Sequence, residues 1–412
     1  MASISASNSD RMPGPRAFAT LGLLTLAYAF NFMDRFALVA MVEPVKRDLA
    51  LSDAQIGLLL GFAFSLVYAA LGVPMAALAD RWGRVQVISL SLALWSVMTM
   101  AASRAIGFGS LAATRVGVGV GEAGGTPPAH SILADTFKGR WTPVGMAIYS
   151  TGSGIGLALG LALGGVLANA LGWRTALAAI GAPGLILAIV IWLAVPREAP
   201  ARAITPLISP HDVPGSSGRS LLMLATAMGF AAFGGFAALA WLPPLGLRIH
   251  GQGGATALGA ALGAGNMLGI LGGGLAGIVA DRSRRVPLPR LCAIISICTA
   301  ALLVAACLTE GRQAFVWLSC AMAFSHSLLL APVMSEAQRQ AVPGRRATAS
   351  AVVLLLINTL GAGGGPWVVG ILADALGPAA GLRHALAWAA LGYLPAAGLF
   401  LSLPRRESQH VA

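Results

Sequence analysis

Charge is what this chain has least of. Of its 412 residues 10% are charged and only 15 are acidic, where a soluble domain carries about a quarter. A water-facing globular surface cannot be built from that supply, so a soluble fold is excluded. Cysteine is scarce as well. The four, Cys292, Cys298, Cys307 and Cys320, fall within apolar segments without metal-ligand spacing, which makes them small buried hydrophobes rather than a disulfide framework or a metal centre. There is no G-x-x-x-x-G-K-[ST] loop, no nucleophile elbow, no paired His and no Ser-His-Asp set. ATP-driven and hydrolytic chemistry therefore lack their residues. No cofactor is expected, and a proton gradient is the expected energy source.

Hydrophobic residues, at 57%, supply what is missing elsewhere. Twelve apolar segments recur at 17–42, 54–79, 85–106, 110–134, 143–170, 174–195, 220–246, 254–280, 288–309, 313–334, 347–373 and 382–403. Each suffices to span a hydrocarbon core roughly 30 Å thick. The 52 glycines suit close helix contact in lipid, where small residues let backbones meet. The first sixteen residues hold no apolar run of the kind a cleavable signal needs.

The net charge of +12 reflects topology, not nucleic acid. Of 27 Lys and Arg, eighteen lie in the two tails and the even-to-odd loops, seven on the opposite side and two inside segments. The positive-inside rule then places both termini in the cytoplasm of a bacterial-type inner membrane. Monomeric behaviour is expected.

Internal repetition sets the architecture. AALADRWGR at 76–84 matches GIVADRSRR at 277–285, an offset of 201. GVLANALG at 165–172 matches GILADALG at 370–377, an offset of 205, and the PRE at 196–198 matches the PRR at 404–406. The expected fold is an all-α membrane protein of twelve transmembrane helices in two pseudo-symmetric six-helix bundles, 17–195 and 220–403. A cytoplasmic linker at 196–219, rich in Pro, Ser and Arg, separates them, and cytoplasmic tails occupy 1–16 and 404–412. Parallel halves with a site at their interface are a transporter plan.

At these residues the chain resembles the major facilitator superfamily, whose loop between helices two and three reads G-x-x-x-D-R-x-G-R. Here Ala76 stands for the usual first Gly, and the second copy has Arg284 for the later one. Asp80, Arg81 and Arg84, with Asp281, Arg282 and Arg285, are read as a conformational latch. A carboxylate beside guanidinium groups at a helix end can hold a neighbouring helix dipole and release it on rocking. The alternative is a solvated, positively charged loop.

Four ionisable residues interrupt the apolar segments. Asp34 and Arg35 lie in N-F-M-D-R (31–35), and Arg115 and Glu122 in R-V-G-V-G-V-G-E-A (115–123). Such a group near the bilayer midplane costs roughly 2.5–3.5 kcal/mol on insertion scales. At 1.5 Å per residue, Asp34 falls about 12 Å below the outer end of its helix, Arg115 about 8 Å and Glu122 two turns deeper. Asp34 thus sits between the other two in depth. The expectation is that Arg115 pairs with Asp34 or Glu122 when either is ionised and is freed for an anionic headgroup on protonation. A static ion-pair network is the alternative, at even weight for Arg35. Gly117, Gly119 and Gly121 leave room on that helix for a partner helix or substrate. Together these segments resemble the Spinster family, whose eukaryotic members move lysophospholipids and sphingoid phosphates.

Helix five carries Gly152, Gly154, Gly156, Gly160, Gly164 and Gly165, read as a close-packing surface, and Gly361 to Pro366 in helix eleven as a bending point. The second half offers Asn266, His326, Asn358, Phe233, Phe236 and Trp241 which, with Asn31, are read as cavity lining. A cavity charged on one wall and apolar on the other suits an amphiphile. His326 is more often packing than a titrating site. Glu336 and Arg339 are read as a gate, and Ser52–Gln55 simply as a helix cap. The chain is therefore expected to be a secondary transporter, proton-coupled, of a lysolipid-like or other amphipathic anion. The alternative is a multidrug or organic-anion carrier. An intramembrane enzyme lacks its catalytic residues, and a transporter-derived sensor lacks a soluble appendage.

Overall fold

The computed structural model describes residues 12–139, 141–196, 215–251, 255–282, 287–341, 346–377 and 380–403. Most of the expected linker, residues 1–11 of the expected N-terminal tail and the whole of the expected C-terminal tail lie outside that set. Among the described residues all regular structure is helical. Eleven helices are long and apolar enough to cross a membrane. A twelfth crossing is made by two consecutive helices. In chain order they are α1 Pro15–Ala40, α2 Asp53–Trp82, α3 Arg84–Ala102, and α4, built from Phe108–Ala123 and Thr126–Thr136. There follow α5 Trp141–Leu171, α6 Trp173–Ala194, α7 Gly215–His250, α8 Ala255–Arg282 and α9 Leu288–Leu308. The last three are α10 Arg312–Gln340, α11 Thr348–Leu376 and α12 Gly381–Leu401. An even number of crossings leaves both ends of the chain on one side, called here the termini side, opposite the far side. The chain is a multi-pass membrane protein.

Local sequence accounts for the boundaries. Pro15 opens α1 at a position where a missing N–H costs nothing. Ser52 and Gln55 close a reciprocal capping box at the start of α2. Gly83, at φ +106°, turns the chain from α2 into α3 inside the repeated loop motif; an L side chain there would be strained. The break in α4 falls at Gly124 and Gly125, directly after Glu122. In α11 a π-helical stretch, Ile357–Gly364, precedes Pro366 and forms the expected irregularity.

Glycine decides how closely the helices approach. On α5, Gly152, Gly156, Gly160 and Gly164 form a stripe against α1; a Cβ at Gly156 would stand 2.2 Å from the Ala29 carbonyl oxygen. Gly154 on the other face meets Met267 of α8, and Gly263 of α8 meets Ala158. A second seam joins α2 to α11, where Gly57 lies against the Pro366 carbonyl and Gly370 against that of Asp53. These two seams tie the first six helices to the last six. On the outer faces, large hydrophobics such as Ile186, Leu193, Leu275 and Trp317 are left exposed, as lipid requires. Cys298 is exposed and Cys292 and Cys307 are buried, all as free thiols.

Candidate functional site

The buried charges of α1 and α4 meet, but not in the expected pairing. Glu122 is fully buried and accepts a hydrogen bond from Arg35 Nη2 at 2.5 Å. Arg115, expected as the acid's partner, instead has Nε and Nη2 without hydrogen-bond partners while only 4% exposed. The reason is helical geometry: successive residues point about 100° apart, since 3.6 make a turn. Arg35 therefore turns toward α2 and α4 while Asp34 turns toward α3, where it accepts from the Thr99 hydroxyl at 3.3 Å. Arg115, two turns nearer the far side than Glu122, is left over the Phe64 ring at 5.6 Å. Phe64 also carries the Arg35 guanidinium at 4.2 Å, with Phe32 and Tyr68 near it. An aromatic face is attractive to a desolvated guanidinium, so this ring holds both cations in register. Gly117, Gly119 and Gly121 admit a partner helix: their missing side chains are replaced by Met98, Phe64 and Trp95.

One carboxylate oxygen on each acid, Asp34 Oδ1 and Glu122 Oε1, has no hydrogen-bond partner. Two acids and two guanidinium groups thus share a few helical turns with only one direct ion pair among them.

A cavity of about 200 Å³ lies between the halves. Tyr28, Phe32, Phe36, Ser150 and Ser153 line it from the first half, and Phe236, Asn266, His326 and Ser327 from the second. Among the described residues no charged side chain lines it, which corrects the expectation of a charged wall. Arg35 borders a smaller space of about 30 Å³, which shares Phe36, Phe236 and Leu239 with the larger one. The charge is adjacent to the cavity, behind a layer of aromatic rings.

Four expected lining residues are elsewhere. Trp241 is fully buried and donates from Nε1 to the Pro366 carbonyl at 2.8 Å, joining α7 to α11. Phe233 packs where Gly365 and Gly392 leave space. Asn358 donates back to the Leu354 carbonyl of its own helix. Asn31 lies beside a water-sized pocket with Tyr28, Thr126 and Tyr149. Asn266 donates to Ser327 Oγ at 3.0 Å, and His326 Nδ1 lies 3.0 Å from the Tyr393 hydroxyl.

At the termini side, Arg84 pairs with Asp135 at the end of α4, an acid not anticipated from the repeat. Asp80 is half-buried and Arg81 exposed. Asp281 and Arg282 close α8; their side chains, and the whole of Arg285, lie outside the described residues. Glu336 accepts from Gln340 at 3.1 Å, and Arg339 is exposed.

The feature sequence reasoning missed is on the far side. Asp53, read as part of a cap, is the centre of a charge cluster between the halves. Arg248, near the end of α7, reaches Asp53 through Nη2 at 2.7 Å and Nη1 at 3.0 Å, and Glu43 through Nε at 2.7 Å. Lys46 Nζ adds a bond to Asp53 at 2.6 Å. Asp374 of α11 accepts from the backbone N–H groups of Asp53 and Ala54 at 3.0 and 2.8 Å. It supplies a carboxylate to the N-terminus of α2, the end of the dipole that favours one. The available signal was Asp374 itself, inside the second copy of GILADALG, where the first copy carries Asn169. Nearby, Asp48 accepts from Arg174 and from Trp173 Nε1, and the Arg174 bond holds its carboxyl below the usual range.

Comparison with known proteins gives a consistent result. The model of the Major Facilitator Superfamily matches residues 24–366. An MFS-type efflux pump of Mycolicibacterium smegmatis is 34% identical over 395 residues, covering 91% of this chain and 89% of that one. Protein spinster of Drosophila melanogaster is 27% identical over 388 residues, 88% of this chain and 63% of that one. The crystal structure of a bacterial homolog to the human lysosomal transporter Spinster, in an inward-facing and occupied conformation, superimposes with a TM-score of 0.81 at 28% identity. That match covers 95% of this chain and 97% of the other, and the inward-facing unoccupied form gives 0.80.

Proposed function

Because the chain belongs to the major facilitator superfamily, as a Spinster-like transporter, we propose that it moves an amphipathic anion, lysolipid-like in form, coupled to protons. The observation that carries this reading is the Arg35–Glu122 ion pair, whose acid is fully buried and whose guanidinium side chain borders the space behind the cavity. Protonation of Glu122 removes the charge that holds Arg35, and the guanidinium turns to an anionic headgroup. The apolar chain then fills the larger cavity against Phe32, Phe36 and Phe236. Asp34, with one oxygen free, and Arg115, with two nitrogens free, form the second pair that takes over when the first opens. The termini face the cytoplasm of a bacterial-type inner membrane, and the monomer is the working unit.

In this reading the far-side cluster around Asp53 and Arg248 holds the transporter closed to the outside. The loop residues Asp80, Arg81, Arg84, Asp281, Arg282 and Arg285, with Glu336 and Arg339, hold it closed to the inside in the opposite state. Rocking exchanges one set of contacts for the other.

A multidrug carrier is the second reading. It is favoured by the absence of charged residues, among those described, from the lining of the cavity between the halves and by the likeness to an efflux pump. Proteoliposomes with labelled lysophospholipid under an imposed pH gradient separate the two. Lysolipid movement that follows the gradient, and loses that dependence in Glu122→Gln, supports the first. Uptake of a dye without lysolipid would refute it.

A further inference from the structure

Two adjacent glycines in the middle of α7, Gly234 and Gly235, interrupt a helix that glycine weakens by roughly 1 kcal/mol per residue. Each accommodates one ring. A Cβ at Gly234 would stand 2.5 Å from Tyr393 Cε2, and one at Gly235 would stand 2.2 Å from His326 Nε2. The two rings seated there are hydrogen-bonded to each other, His326 Nδ1 to the Tyr393 hydroxyl at 3.0 Å. Tyr393 is fully buried, and a buried hydroxyl needs an acceptor for its proton. Nδ1 supplies it, which places the imidazole proton on Nε2. His326 lines the central cavity, as does Asn266. Asn266 spends its Nδ2 on Ser327 Oγ at 3.0 Å, leaving its carbonyl oxygen as an acceptor. The second half thus presents one fixed donor and one fixed acceptor to a cavity whose walls also carry the hydroxyls of Tyr28, Ser150, Ser153 and Ser327 among apolar side chains such as Met228, Phe236 and Ile357.

We infer that His326 and Asn266 bind a hydroxyl group of the transported molecule, His326 donating from Nε2 and Asn266 accepting, with Tyr393 as the positioning residue. A hydroxyl accepts one bond and donates another, and so satisfies both partners at once. The inference rests on the amphiphile reading above and adds to it a neutral contact in the second half, distinct from the Arg35 contact in the first. A site built to hydrogen-bond a hydroxyl discriminates against the analogue lacking it, because its own polar groups are then left unpaired.

The test uses full-length protein in proteoliposomes and two probes: oleoyl lysophosphatidic acid and its deoxy analogue without the free glycerol hydroxyl. In the wild type the hydroxyl probe should have a KM lower by about tenfold, the scale of one or two net hydrogen bonds. His326→Ala should bring the two KM values together by raising that of the hydroxyl probe, and His326→Gln, which keeps a donor, should retain part of the difference. Tyr393→Phe should raise KM for the hydroxyl probe about threefold, since it frees the imidazole to exchange protons between its nitrogens. Equal KM values in the wild type, or undiminished discrimination in His326→Ala, would overturn the assignment while leaving the amphiphile reading intact. If the wild type carried neither probe, that reading would fail and this inference with it.

Discussion

Replacing Arg248 with Ala should open the far side of the transporter. The side chain makes three hydrogen bonds to two carboxylates across the halves. It is a quarter exposed, whereas the Asp53 side chain is only 6% exposed. Hydrogen bonds to charged groups are worth about 1.5–3 kcal/mol each when buried, and exposed pairs far less. Discounting for exposure, and for Lys46, which continues to neutralise Asp53, the closed state should lose about 2 kcal/mol. That is a change of roughly 30-fold in the ratio of closed to open molecules. A protein open about 1% of the time would become open about a quarter of the time. Pulsed electron spin resonance measures this directly, with spin labels at Arg47 and Glu310 in a background whose four native cysteines are replaced. Arg248→Ala should transfer population from the short-distance peak to a longer one, and Arg248→Lys should transfer less. An unchanged distance distribution in a correctly folded Arg248→Ala protein would refute the reasoning.

Other outcomes follow from the same contacts. Arg35→Ala leaves Glu122 buried without its ion pair, so the thermal midpoint should fall by the equivalent of about 3–5 kcal/mol. The double variant Arg35→Met with Glu122→Leu should recover most of that loss in a thermal-shift measurement while abolishing pH-dependent transport. Gly160→Val should prevent folding, because even a Cβ there would lie 2.6 Å from the Met33 carbonyl oxygen; monodisperse elution of this variant would contradict the packing. Trp241→Phe removes the bond to Pro366 but keeps the ring, and should cost about 1 kcal/mol in stability, read by chemical denaturation.

Much of the fold was legible because lipid imposes a simple code. Segment length, the placement of Arg and Lys, and the repeat of ADRWGR as ADRSRR led to twelve crossings. The structure was needed to show where crossings are broken: α2 at Gly61, α4 at Gly124 and Gly125, and α10 at Leu328 and Leu329. The glycine stripe of α5 was readable too, since spacing by four places residues on one face. Asp34, Arg35, Arg115 and Glu122 stood out by cost alone, as charges where charge is expensive. Their pairing did not. A side chain's direction depends on how its helix is rotated against its neighbours, and Phe64, whose ring lies against both guanidinium groups, belongs to a helix that spacing along α1 and α4 says nothing about.

The sequence by itself therefore determined which residues lie in the membrane, how often the chain crosses it and which of its groups are too costly to be incidental. Those properties follow from composition and local period. Tertiary structure alone decided partnerships: Glu122 with Arg35, Asp53 with Arg248, the N-terminus of α2 with Asp374, His326 with Tyr393. Each joins residues tens to hundreds of positions apart. What brings them together is the close approach of helix backbones at glycine seams, a property of surfaces in contact rather than of any one segment.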